Sequence, residues 1–300
     1  MIELTEDFKA KVLAALTEAR DRYDGSDANF AKKYGINKTV YSSLKKGETE
    51  KKISPAKWLE LGRVLGVSLN ERKWNMARTD VFNMIEDDVV FCKEFGKSMM
   101  FVDECAIGKT YSARYLSRTL KNCFYVDASQ CRQERAFIKE LARSVGAELE
   151  GTLEDFKAST KYILNILPRP IVIIDEAGCL SYSSLQLLHE FWNGTQDTCG
   201  WYMMGADGLR TKLQKGKGKS KKQSYKELFS RFSSKYNLVV PYNPSERLDF
   251  YRKLIRDVLS VNIANKSLID RIVTRCLATD SQEAETGLRR AESLLILMEE

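Results

Sequence analysis

Histidine is almost missing from this chain. His189 is the single one in 300 residues, and the seven cysteines (Cys92, Cys105, Cys123, Cys131, Cys179, Cys199, Cys276) contain no CxxC pair. No Cys/His zinc set can be completed, and scattered unpaired thiols point to a reducing compartment. No run of eighteen apolar residues occurs, and the N-terminus MIELTEDFKAKVLAAL is acidic and amphipathic, unlike a basic stub followed by an apolar stretch. A soluble, cytoplasmic protein with no membrane partner is expected. Internal repeats are also lacking, and His189 receives no role.

What is present is charge and enough apolar residue for cores. The chain is 43% hydrophobic and 30% charged, with net charge +7 and pI near 8.9. That composition suffices for one sizeable and one small domain, and the basic surplus suggests an anionic partner. From Leu4 to Tyr23, Phe8, Val12, Leu13, Leu16 and Ala19 recur at helical spacing, with Gly25 as a stop. SDANFAKKYGINKTVYSSLKKGE then reads as two short helices about a Gly35-Ile36-Asn37 turn, a helix-turn-helix pattern. A further helix follows, capped by Ser54 with Pro55 at its first position. Residues 1–70 are thus expected to be a small all-α helix-turn-helix domain, followed by a connector that becomes a helix.

Beyond it, short apolar runs alternate with helical segments: Ser98 to Val102, Cys123 to Val126, Ile171 to Ile174, Trp201 to Met204 and Leu238 to Val240. Strands buried on both faces read this way, so a parallel five-stranded α/β sheet is expected over residues 71–243. Residues 244–300 hold three helical patterns and no strand signal, which reads as a helical lid.

FVDECAIGKTYSARYLSRTL carries the chemistry. A phosphate loop needs inward-facing backbone N–H groups, a helix N-terminus, a lysine for the terminal phosphates and a hydroxyl for Mg²⁺. Gly108, Lys109 and Thr110 supply the last three of these after a strand and before a helix, so Ala106, Ile107, Gly108, Lys109, Thr110 and Tyr111 form the nucleotide-contacting set. The first position of the GxxxxGK[ST] pattern is Asp103 and its usual middle glycine is Ala106. The carboxylates of Asp103 and Glu104 oppose phosphate unless they point away. PIVIIDEAGCL ends a buried strand, expected beside the phosphate-loop strand, in Asp175 and Glu176. Asp175 is placed to hold Mg²⁺ with Thr110, and Glu176 to polarise the attacking water. Asp207 follows the fourth strand as a γ-phosphate sensor between these motifs. Arg231 ends a helix before the fifth strand, where an arginine projects toward a neighbouring subunit's nucleotide. Arg289, with Arg290, starts a lid helix within reach of the γ-phosphate.

In order, DECAIGKT, IVIIDEA, LFSRF and GLRRAESLL with a helical lid resemble the AAA+ ATPases. A repressor-like helix-turn-helix ahead of such a domain resembles the MuB-like target-capture ATPases, the transposition regulators that include TnsC and IstB. The resemblance implies ATP and Mg²⁺ as cofactors and assembly into a homo-oligomeric filament or ring on double-stranded DNA with little sequence preference. It further implies delivery of that DNA to a transposase, and slow ATP hydrolysis stimulated by DNA and by the transposase. By the same resemblance Lys109 and Thr110 bind phosphates and Mg²⁺, Asp175 and Glu176 serve hydrolysis, Arg231 acts across the interface, and Arg289 senses from the lid.

DNA affinity is largely lysine and arginine against phosphate. Thr211 to Ser224 holds Lys212, Lys215, Lys217, Lys219, Lys221 and Lys222 with no acid, a basic arm or else a solvated linker. The second helix of the N-terminal motif is expected to present Asn37, Lys38, Thr39, Tyr41, Ser42, Lys45 and Lys46. It carries no arginine for bidentate guanine reading, which favours general over sequence-specific binding. The competing reading is a repressor-like transcription regulator with an ATP-sensing domain; a helicase or loader is a further one.

Overall fold

The computed structural model describes residues 4–50, 52–67, 74–147, 151–215, 225–232, 237–278 and 287–299, apart from the side chains of 213–215, 225, 226 and 299. Four helices open the chain: α1 (Glu6–Asp21), α2 (Asp27–Lys33), α3 (Lys38–Lys45) and α4 (Pro55–Leu65). Each begins at a side chain that accepts a first-turn N–H, in order Thr5, Ser26, Asn37 and Ser54, so local chemistry sets these starts. Phe8, Val12, Leu16, Phe30, Tyr41, Trp58 and Leu61 form their common core. Tyr41, expected on an outward-facing helix surface, is only 3% exposed, because its ring packs against Phe30 at 5.3 Å.

After α5 (Asp80–Phe95) the chain alternates strand and helix. The order is β1 (Ser98–Val102), α6 (Lys109–Thr119), β2 (Cys123–Asp127), α7 (Glu134–Val145), α8 (Leu153–Ile166), β3 (Ile171–Asp175), α9 (Tyr182–Gly194) and β4 (Gly200–Gly205). The strands are all parallel in the order β1-β4-β3-β2. Every residue of β3 and β4 is buried. Alternate side chains enter opposite cores: Val172, Ile174, Trp201 and Met203 on one face, Ile171, Ile173, Tyr202 and Met204 on the other. β4 therefore separates the phosphate-loop strand from β3, correcting the expectation that those two are neighbours.

Among the described residues the sheet has four strands, not the expected five. Leu238 to Val240 was expected to add one, but among the described residues pairing at the β1 edge is a single parallel bridge between Phe101 and Asn237. The reason lies in side chains that compete for the backbone. Asn237 exchanges hydrogen bonds with Val102 and Met100, yet the N–H groups of Val239 and Val240 donate to the Asp103 carboxylate at 2.6 and 3.0 Å. The ladder stops where its donors are diverted.

Helices α10 (Asp207–Lys215), α11 (Tyr225–Arg231), α12 (Pro244–Ser260), α13 (Lys266–Leu277) and α14 (Leu288–Glu299) complete the chain. Ile255, Leu259, Ile269, Ile272, Val273 and Leu295 form the core of the last three. Among the described residues no helix is long and apolar enough to cross a membrane.

The N-terminal helices are fastened to the sheet end where the strands begin. Asn122, just before β2, donates to the Asp24 carboxylate at 3.1 Å and to the Pro168 carbonyl at 2.9 Å, and its own N–H bonds the Arg22 carbonyl. Lys33 extends over the Phe124 ring at 4.8 Å, with the Tyr23 and Tyr34 rings each 5.7 Å away.

Candidate nucleotide site

The opposite end of the sheet, where the strands finish, carries a cleft of about 220 Å³. Residues 103–108 leave β1 and turn into α6. The turn needs the left-handed region twice, at Ala106 (φ 57°) and Gly108 (φ 98°). Gly108 caps α6 without any side-chain acceptor, which leaves the first-turn N–H groups of this 11-residue helix facing the loop. Lys109 is buried, and its Nζ donates to the carbonyl of Asp103 at 2.9 Å and to that of Glu104. Burial pushes its pKa below the ordinary lysine value, while Cys105, Asp103, Glu176 and Asp175 pull it upward.

The two acids at the loop entrance do not face the cleft. Asp103 is 2% exposed; one carboxylate oxygen accepts the N–H groups of Val239 and Val240, and the other that of Glu104 at 2.8 Å. Glu104 pairs with Arg247 of α12 at 3.1 Å, and that hydrogen bond holds its carboxyl below the usual range. The charge conflict raised by DECAIGKT is resolved by aim: both carboxylates turn toward the segment from 239 to 247.

Asp175 ends β3 fully buried, accepting from Tyr125 Oη at 3.0 Å and from the Glu176 N–H at 2.9 Å. Glu176 follows at φ 51°, a left-handed conformation that a glutamate seldom adopts, and its side chain borders the cleft. Thr110, Lys109, Gly108, Ala106, Tyr111 and Arg289 border it too, whereas Ile107 is buried behind the loop. Thr110 borders the cleft, whereas Asp175 is buried behind it and does not; among the described residues there is no cluster of three or more metal-binding side chains. The uncapped helix start, the loop lysine and the hydroxyl of Thr110 fit a nucleotide with its metal.

The start of α14 lies directly against the loop. The Leu288 N–H donates to the Ala106 carbonyl at 2.8 Å, and a Cβ at Gly287 would stand 2.7 Å from both the Ala106 carbonyl oxygen and its Cβ. Only glycine allows that approach. Trp74 also borders the cleft. Tyr111 Oη donates to the Trp74 carbonyl at 2.6 Å, and Trp74 Nε1 donates to Glu292 of α14 at 3.2 Å. Asn75 exchanges hydrogen bonds with Asn262 and donates to the Val261 carbonyl beyond α12. Sequence reasoning missed Trp74, Leu288 and Glu292. For Trp74 there was no signal, because it sits in a stretch without periodicity.

Other expected site residues lie elsewhere. Asp207 follows β4, between the motif strands, but its side chain is 90% exposed and pairs with Arg210 at 3.2 Å instead of reaching the cleft. It starts α10, and a first-turn carboxylate is stabilised there by the helix dipole. Arg231 ends α11 with its guanidinium 5.0 Å over the Trp192 ring, outside its own chain's cleft. On α3, Lys38, Thr39 and Ser42 are exposed, as is Lys46 at its C-terminal cap, while Lys45 pairs with Asp27 at 3.2 Å. Lys215 is the last residue of α10, and Lys212 donates to the Leu180 carbonyl. Lys217, Lys219, Lys221 and Lys222 lie outside the described residues.

Residues 96–213 match the family model described as AAA domain, a span from the start of β1 through the phosphate loop and Asp175 to α10. This stretch is an AAA-type P-loop domain. No curated protein matches the chain. Among solved structures the chain is similar to NtrX from Brucella abortus in complex with ATP, at 13% identity and a TM-score of 0.44, covering 93% of this chain and 66% of that one. It is also similar to NtrX from Brucella abortus in complex with ADP, at 13% identity and a TM-score of 0.39, covering 87% of this chain and 68% of that one. The chain spans about two thirds of the length of these NtrX chains.

Proposed function

We propose that this protein is a DNA-dependent ATPase that assembles on duplex DNA and presents it to a transposase, in the manner of the MuB-like regulators. The observation that carries the ATPase part is the single cleft bordered by Lys109 from the phosphate loop and Glu176 from the end of β3. In this reading the α6 N-terminus and Lys109 bind the phosphates, exchanging the Lys109 bonds to loop carbonyls for bonds to phosphate oxygens. Glu176 orients and deprotonates the attacking water. Thr110 and Asp175 would hold Mg²⁺ brought with the nucleotide, which would neutralise phosphate charge. Arg289 reaches the phosphates from the lid, and the Trp74 and Tyr111 side chains supply an aromatic wall for the base.

Two features support the DNA and assembly parts. Lys38, Thr39 and Ser42 are exposed on α3 and Lys46 at its C-terminal cap, on what we read as the second helix of a helix-turn-helix that contacts the backbone of the duplex. Arg231 stands away from its own cleft, which suits a role toward the nucleotide of a second copy of this chain.

Phosphate release should be measured with and without plasmid, and particles with ATP and random duplex inspected by electron microscopy. Stimulated release and DNA-dependent assemblies are expected. Glu176→Gln should slow release about 10²- to 10⁴-fold while keeping nucleotide bound; release at the normal rate would place the base elsewhere. Protection of one discrete operator by footprinting would favour a transcription regulator over target capture.

A further inference from the structure

Asp103 occupies a phosphate-loop position where glycine is usual, and it is neither exposed nor idle. Its carbonyl accepts from Lys109 while its carboxylate accepts from Val239 and Val240. Glu104 repeats the arrangement: its carbonyl accepts from Lys109 and its carboxylate pairs with Arg247. Two consecutive residues therefore hold the loop lysine by their main chain and the 239–247 segment by their side chains. Just before that segment, the Asn237 side chain donates to the buried Asp88 carboxylate at 2.8 and 2.9 Å, and within it Val240 packs into the core beside the sheet. The segment leads from the sheet edge straight into α12, the first helix of the lid.

We propose that Asp103 and Glu104 are positioning residues that couple phosphate binding by Lys109 to the placement of residues 239–247 and the lid. The inference rests on the nucleotide reading above. When Lys109 leaves the two carbonyls for a phosphate, the 103–104 and 104–105 peptides each lose the bond that their carbonyl makes, and the carboxylates carried on Asp103 and Glu104 shift with them. The segment beyond Asn237 follows, because its N–H groups and Arg247 have these carboxylates as partners. An ordinary glycine at 103 would cradle phosphate equally and transmit nothing.

The test uses the full chain and two readouts: affinity for a fluorescent ATP analogue, and hydrogen exchange over 239–247 with and without ATP. In the wild type, ATP should change exchange in this segment at least about fivefold, the lower range of couplings between sites. Arg247→Ala, at a half-exposed ion pair, should bind the analogue normally and lose most of that response. Asp103→Ala should lose it fully, and Asp103→Asn, which keeps one acceptor oxygen, should recover part. If Asp103→Ala fails to fold, Arg247→Ala and Asp103→Asn carry the test. Variants that bind the analogue and respond like the wild type overturn the coupling. A wild type that binds no analogue at all would instead remove the nucleotide reading, and the coupling with it.

Discussion

The two ends of the sheet solve the same steric problem with different residues. Five described residues other than glycine adopt left-handed backbone. Three of them, Asn122, Arg169 and Asp197, lie at the end where strands begin, and each is tied by its side chain: Asn122 to Asp24, Arg169 to Glu94, Asp197 to Lys97. Asparagine and aspartate tolerate this region, so that end is built for rest. Ala106 and Glu176 are at the other end, and neither side chain compensates for its backbone. Strain without local compensation marks the end that handles ligand, whereas the tied end serves as foundation.

The comparison breaks most visibly at Lys109. Lys109→Ala should lower ATP turnover at least about 10²-fold, by analogy with removal of one charge-stabilising donor, and leave urea unfolding nearly unchanged; phosphate release and chemical denaturation measured on one preparation decide it. Asn122→Ala should do the reverse. It removes two hydrogen bonds to buried or half-buried acceptors and puts alanine at φ 50°, costing about 2–4 kcal/mol with nucleotide affinity intact. A large loss of affinity in that variant would mean the two ends are not separate.

Lys33 sharpens the contrast by pH. Burial among aromatic rings lowers its pKa to about 8 from 10.5. Between these values the unfolded chain keeps a proton that the folded protein gives up, so stability gains with rising pH across that window. Relative to Lys33→Met, the wild type should gain about 1 kcal/mol from pH 7.5 to 9.5, the three rings offsetting part of the burial cost. Parallel pH curves for the two proteins would show that the ammonium is not desolvated. The smallest effect is expected of Ala106→Gly, which relieves left-handed alanine at the expense of unfolded-state entropy and should stabilise by roughly 0.5 kcal/mol in thermal unfolding.

Much of this was readable in the residues. The cap at Ser54, the four apolar strand runs, and GKT followed at a distance by Asp175-Glu176 all encode local structure, because each depends on hydrogen bonds or periodicity within a few positions. Contacts between distant segments were not readable. Leu238 to Val240 has strand composition, yet the carboxylate that takes its N–H groups is Asp103, far away in sequence. Asp207 has the right strand but the wrong side of it, since its orientation is decided by where α10 begins. Trp74 is held at the cleft by bonds to Tyr111 and Glu292 and by the Asn75–Asn262 pairing next to it, contacts with no periodic or compositional trace.

Gly287 carries a genetic consequence. Its main chain lies against Ala106 with no space for a methyl group. Every missense change of a glycine codon adds at least that much, so this position has no neutral neighbour in mutational space, and any variant that survives there must draw residues 287 and 288 away from Ala106.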